Sequence, residues 1–360
     1  MGGCVGRCEI PRLSGVSDAQ DTHSAAPTAR PWIAEQTKLL LLQRGHAWLV
    51  QGPSGLGQYS LALALVRAWL CESPQEQGAC GECSSCHAID VRTHADLCIL
   101  MPEAQMLRLG WPLSEKAQRE IDNKERKPSK EIRVEAMRDA VEFSQRTSGR
   151  GRGKAVLVFP AEQMNTVTAN ALLKTLEEPP GDVKFVLATE SAHQLLPTIR
   201  SRCLGHTMHW PTPQVALSWM QSMGVAAPVA TQALKAAGGR PDDAMAFMDS
   251  GRDPGVWTHL RTALSRGDAA VLKDWTLPQV VDALQKLCHD LTARQVDAPT
   301  RFFDAKDLGP AVTVDALTRW NQALMRTAKT VDHPYNAGLM LEALVNQAKT
   351  ALNSNPREKQ

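Results

Sequence analysis

Cys71, Cys80, Cys83 and Cys86 are separated by eight, two and two residues, so two Cys-x-x-Cys steps lie beside a fourth thiol at the end of an apolar stretch. Four soft thiolates in this pattern suit a tetrahedral Zn²⁺. With every position filled by protein the ion would have no room for water, which predicts a structural zinc rather than a hydrolytic one. His87 follows the last cysteine and could replace one of the four. The chain has nine cysteines, an odd number with four crowded together, which fits a metal site in a reducing compartment better than a disulfide framework. Cys98, Cys203 and Cys288 stand alone and are expected to be buried apolar residues.

A second pattern begins at Gly52-Pro53-Ser54-Gly55-Leu56-Gly57. A working phosphate loop reads Gly, four residues, Gly, Lys, then Ser or Thr: backbone amides cradle phosphate, the lysine neutralises charge and the hydroxyl binds magnesium. Gly52 and Gly57 keep that spacing, but Gln58 stands at the lysine position and Tyr59 at the hydroxyl position. Gln58 carries no charge, and Tyr59 is too bulky for an ordinary Mg²⁺ ligand. The glycines then serve only the tight turn from strand to helix. The second half of such a site is an apolar strand ending in an acidic pair. Here Val158 runs into Phe159 and Pro160, with Glu162 farther on. Loss of lysine, hydroxyl and acidic pair together predicts that no nucleotide is bound or hydrolysed.

The elements that must hold these residues alternate. Ala47 to Val50 reads as a short strand and Ser60 to Leu70 as a helix, then Ile132 to Ser144 as an amphipathic helix. Ala155 to Phe159 is a buried strand, Ala169 to Glu178 a helix stopped by Pro179-Pro180, and Lys184 to Thr189 another strand. This βαβαβ order predicts an α/β fold with a parallel sheet. Met106 to Lys130 is polar and carries the charge run Lys124-Glu125-Arg126-Lys127, which reads as a solvated surface insertion. Beyond His209 only helices are expected, with Gly238-Gly239 ending one and Gly251 to Gly255 forming a linker. Residues 1–30, polar and without periodicity, are expected to be a disordered extension.

Composition removes several classes. Forty Lys plus Arg against 38 Asp plus Glu leave a formal charge of +2, too little to require nucleic acid or an anionic membrane as partner. A 43% hydrophobic and 22% charged chain is neither collagen-like nor wholly disordered. The apolar run Leu61 to Leu70 contains Arg67 and is too short to span a bilayer, which needs about 20 residues. Met1-Gly2-Gly3-Cys4 hints at lipidation, but Gly6 stands where the acylation pattern requires Ser or Thr, and no signal peptide is evident, so a cytoplasmic location is expected. A stand-alone zinc-dependent DNA-binding module is disfavoured, because the basic stretch nearest the cysteines, Arg150-Gly151-Arg152-Gly153-Lys154, precedes a strand and reads as a turn.

Asn170-Ala171-Leu172-Leu173-Lys174-Thr175-Leu176-Glu177-Glu178-Pro179-Pro180, followed by Lys184 to Thr189 and then Ser201-Arg202-Cys203, resembles the clamp-loader branch of the AAA+ family. The cysteine insertion after the first helix resembles that of its bacterial subunits. The resemblance covers about Pro31 to His209. It implies an AAA+ α/β domain at 31–209 with a zinc module at 71–87, a helical lid domain at 210–250 and a helical collar, or oligomerisation, domain at 251–360. It also implies that Arg202 is an arginine finger projecting into the ATP site of a neighbouring subunit, with Arg200 a weaker candidate. Thr189 matches the position that senses γ-phosphate in active members; Arg240 falls near a second sensing arginine and is left unassigned. The implied partners are motor subunits of the tau/gamma type, a delta subunit, a sliding clamp and primed DNA, joined in a hetero-oligomer. The rival reading is an AAA+ ATPase whose degenerate site still works, with Gln58 and backbone amides binding nucleotide.

Overall fold

The computed structural model describes residues 30–331, 333 and 336–354. The expected disordered extension and the Met1-Gly2-Gly3-Cys4 segment lie outside them, Arg30 excepted. Along the α/β part run α1 (Pro31–Leu41), β1 (Ala47–Gln51), α2 (Gln58–Leu70), α3 (Ser84–Asp90), β2 (Leu97–Leu100), α4 (Glu103–Arg108), α5 (Glu115–Asp122) and α6 (Val134–Gln145). They are followed by β3 (Lys154–Val158), α7 (Thr166–Glu177), β4 (Val183–Thr189), α8 (Pro197–Arg200) and β5 (Leu204–Thr207). The rest is helical: α9 (Pro213–Ser222), α10 (Ala227–Ala236), α11 (Pro241–Asp249), α12 (Val256–Arg266), α13 (Leu277–Gln295), α14 (Val314–Thr330) and α15 (Ala337–Leu352). No helix among the described residues is long and apolar enough to cross a membrane.

The five strands form one parallel sheet in the order β2-β3-β4-β1-β5. Successive side chains on a strand point to opposite faces, so a sheet covered on both sides needs apolar residues at every position. In β1, Trp48 and Val50 pack with Leu61, Leu65 and Val66 of α2, while Ala47 and Leu49 pack on the other face with Leu172 and Leu176 of α7. Gln51 lies opposite both Thr189 and Thr207, so the loops after β1, β3 and β4 leave the sheet at the same end.

Two strands were not foreseen. β2 and β5 are the edges of the sheet and only four residues long each. β5, Leu204-Gly205-His206-Thr207, has no apolar alternation because little covers it, so its residues are mostly exposed. The insertion is mostly exposed, as expected, but it is not irregular: it holds the end of α4 and all of α5, and Arg126 of its charge run is held between Glu103 (2.8 Å) and Glu120 (2.7 Å).

Helices α9 to α11 share their apolar core with α1 and α2; Trp219 meets Trp32 edge to face at 5.3 Å. Helices α12 to α15 close a second core around Trp257, Leu284, Leu287 and Trp320. Inside it, Asp290 is fully buried and accepts hydrogen bonds from the backbone N–H groups of Arg301, Phe302 and Phe303 at 2.7–3.0 Å. One carboxylate therefore fixes residues 301–303 of the segment after α13. Asp290→Ala would strand these donors and is expected to destabilise the protein by about 3 kcal/mol or more, read as a lower denaturant midpoint.

Candidate functional site

The turn after β1 becomes a loop because Gly55 and Gly57 take φ of +79° and +91°, where a Cβ is strained. The loop is anchored from behind by Trp32, whose Nε1 donates to the carbonyl of Leu56 at 2.8 Å. Gln58 does not point outward. It is buried, and its Nε2 donates back to the carbonyls of Gly52 (2.7 Å) and Pro53 (2.6 Å), bracing the loop from its own first helical residue. Tyr59 packs against Phe159 with ring centroids 5.5 Å apart, and its hydroxyl accepts from Trp111 Nε1 at 2.7 Å. The two residues at the lysine and hydroxyl positions thus bond to their own chain, and Tyr59 fastens the insertion through Trp111.

The mouth of the loop is closed by the N-terminus of α11. Ser54 Oγ donates to Asp243 Oδ2 at 3.0 Å, and the backbone N–H of Asp242 donates to the Gly55 carbonyl at 3.1 Å. A Cβ on Gly55 would collide with the Asp243 carboxyl group, so glycine is needed there for close approach as well as for φ. Arg240 donates to Ser54 Oγ at 2.9 Å and pairs with Asp243 at 3.1 Å, while Arg30 pairs with Asp242 at 2.9 Å. Arg240, unassigned from sequence, therefore does reach the loop, though it meets an aspartate there.

Negative charge accumulates at this end of the sheet. Glu162 accepts from Thr189 Oγ1 at 2.7 Å and from the Glu190 N–H at 3.0 Å, so the threonine at the sensing position is already engaged. Burial, with Glu162 and Asp243 nearby, pushes the Glu190 carboxyl above its usual range. Burial also raises Asp242, against the pull of Arg30. At this loop Asp243 and Arg240 stand side by side, and the neutral Gln58 holds the position where a working phosphate loop offers a lysine.

The cysteines are brought together. Cys71 caps the end of α2, Cys80 and Cys83 flank a turn at Gly81 (φ +83°), and Cys86 lies in α3. Their Sγ atoms all lie within 4.8 Å of one another, with Cys71 at 3.5 Å from Cys80 and 3.8 Å from both Cys83 and Cys86. Four sulfurs about 2.3 Å from a tetrahedral zinc stand about 3.8 Å apart, so the donor set fits the ion in number, type and spacing. The N–H groups of Cys80, Cys83 and Cys86 point at Cys71, Cys80 and Cys83 Sγ at 3.3, 3.4 and 3.5 Å. Burial works against a thiolate at Cys83, but the surrounding donors, Cys86 first, bring its pKa down to about 6. Burial pushes Cys86 up to about 12. Four thiols this close cannot all ionise unless a cation compensates them. His87 is exposed and stands outside the cluster.

Beneath the cysteines, His94 Nε2 lies 2.8 Å from Ser85 Oγ, a pairing sequence reading missed. His94 Nδ1 accepts from the Asp96 N–H at 3.1 Å, so the ring proton sits on Nε2 and is given to the serine. That is the wrong tautomer for a base that would activate Ser85. The group is a strut: Asp96 continues it by accepting from Gly149, Arg150 and Ser148. Arg150 in turn donates to Glu72 and Ser84, which engages the basic stretch with the cysteine module. Of the isolated cysteines, Cys288 is buried and Cys98 and Cys203 are half-buried, and burial pushes the thiol pKa up to about 12 for Cys98 and Cys203 and about 11 for Cys288.

Arg202 sits away from the chain's own loop. Asn165 caps α7 by accepting from the Thr168 N–H, α7 ends at Glu177, and Ile199 of α8 is buried against the sheet layer. Arg202 follows α8 and pairs with Glu177, both partly exposed; Arg200 is exposed.

Residues 36–210 match the family described as DNA polymerase III, delta subunit. The DNA polymerase III subunit delta′ of Escherichia coli strain K12 is 30% identical over 290 residues, covering 75% of this chain and 80% of that protein. The delta′ subunit of Pseudomonas aeruginosa is 38% identical over 178 residues, 49% of this chain and 47% of that protein. The match therefore spans about half of one relative and four fifths of the other. The tau subunit of Escherichia coli K12 is 35% identical over 159 residues, 44% of this chain and 21% of its own length. A solved gamma subunit-related protein from Thermotoga maritima superposes with a TM-score of 0.45 at 16% identity, covering 89% of this chain and 99% of that one. The chain belongs to the family of DNA polymerase III delta′ subunits, a clamp-loader-type member of the AAA+ class.

Proposed function

We propose that this chain is the non-hydrolysing, stator-like subunit of a bacterial clamp loader, lending Arg202 to the ATP site of an adjacent motor subunit. The observation that carries this reading is the loop after β1, where Gln58 is bonded back to Gly52 and Pro53 and Asp243 stands against Gly55. A loop braced by its own Gln58, with no lysine there and with Asp243 against Gly55, is poorly built to hold ATP, whereas a partly exposed arginine outside that loop can serve a neighbour. A guanidinium is permanently charged and forked, suited to the charge on a transferring γ-phosphate. The partners would be motor subunits of the tau/gamma type and a delta subunit, acting on a sliding clamp and primed DNA in the cytoplasm. Residues 31–209, 210–250 and 251–360 would act as the α/β, lid and collar domains. Cys71, Cys80, Cys83 and Cys86 would hold a structural zinc, tying the end of α2 to α3 with no vacant position for chemistry.

Three outcomes are expected. Equilibrium titration with labelled ATP and Mg²⁺ should give no saturable binding at millimolar nucleotide; tight, Mg²⁺-dependent binding would instead support the degenerate but working ATPase. In a reconstituted loader, Arg202→Ala should lower ATP turnover at the shared site by about 10³-fold while the subunit still folds, and unchanged turnover at saturating subunit would remove the finger assignment. Elemental analysis should find about one zinc per chain, lost in Cys83→Ser together with thermal stability; a folded, metal-free wild-type protein would defeat the zinc.

A further inference from the structure

Arg202 is engaged within its own chain. Its Nε donates to Glu177 Oε1 at 2.6 Å, and Nη2 meets the same oxygen. Nη1 donates to the Thr198 carbonyl at 2.8 Å and to Ser201 Oγ at 3.4 Å. A guanidinium grips a phosphate through a two-nitrogen edge. Here the Nε and Nη2 edge is closed by the carboxylate, and Nη1 is bound to α8 and the residue after it. To present a two-nitrogen edge to a phosphate, the arginine has to give up some of these partners.

We propose that Glu177 is a counterion latch, holding Arg202 against the end of α7 until a more strongly charged group displaces it; this rests on the reading of Arg202 as a finger acting in trans. The platform is fixed, because Glu177 closes a helix that Pro179-Pro180 cannot extend. The hold is weak, because the Arg202 and Glu177 side chains are 31% and 46% exposed. A pair of that kind biases a two-state equilibrium by about fivefold at most. A γ-phosphate offers the same edge more charge and more acceptor oxygens than one carboxylate. Exchange therefore favours a filled neighbouring site and disfavours an empty one. Glu177 is in this sense a positioning residue, acting only through Arg202.

The test is steady-state ATP turnover of the reconstituted loader carrying wild type, Glu177→Gln, Glu177→Ala or Arg202→Ala. Both Glu177 variants should raise kcat/KM for ATP by up to about fivefold, with the gain shrinking as ionic strength rises. A folding defect could not produce a salt-sensitive increase. If Arg202→Ala collapses turnover while both Glu177 variants equal or fall below wild type, the latch is overturned and the finger stands. If Arg202→Ala equals wild type, the finger falls and the latch with it.

Discussion

The carboxylate of Asp243 rests on a stretch of backbone that has no side chain to keep it away. That contact depends on Gly55, on the left-handed turn it permits, and on a helix N-terminus delivered from a separate part of the chain. Around it gather the Ser54 hydroxyl, Arg240, and Asp242 with Arg30. Loop and helical segment are held together by the protein's own charges and hydrogen bonds. The apolar core continues without a break from α2 through Trp32 to Trp219, so burial reinforces what the ion pairs begin.

The substitutions at the phosphate-loop motif are not empty losses. Gln58 satisfies two carbonyls inside the turn, and Tyr59 supplies a flat apolar face for Phe159 and an acceptor for Trp111. Lysine at 58 would bring a charge to a buried position, and a small hydroxyl residue at 59 would leave Trp111 Nε1 without its partner. Both residues stiffen the turn in which they sit. Similar economy governs the cysteine module, where an inert serine–histidine strut and the Arg150 turn frame the four sulfurs.

Much of this was legible along the chain. The three central strands read as apolar runs because both faces are covered, and the cysteine spacing announced a four-sulfur site because turn geometry, a local property, brings Cys-x-x-Cys thiols together. The edge strands were not legible: β5 lacks a covered face and thus a pattern, and a four-residue strand such as β2 is too short to announce itself. Arg126 reads as one charge in a solvated run, yet two glutamates on other elements hold it.

By itself, the sequence determined the parallel α/β core, the four-thiol cluster and the absence of the lysine, hydroxyl and acidic pair, since each is encoded in residue type at short range. Only the tertiary structure decided what occupies the loop and what holds Arg202. Asp243 reaches Ser54 across 189 positions and Glu177 reaches Arg202 across 25. Contacts over such distances follow from how helices pack on the sheet, and no local period or spacing records which charges that packing will bring together.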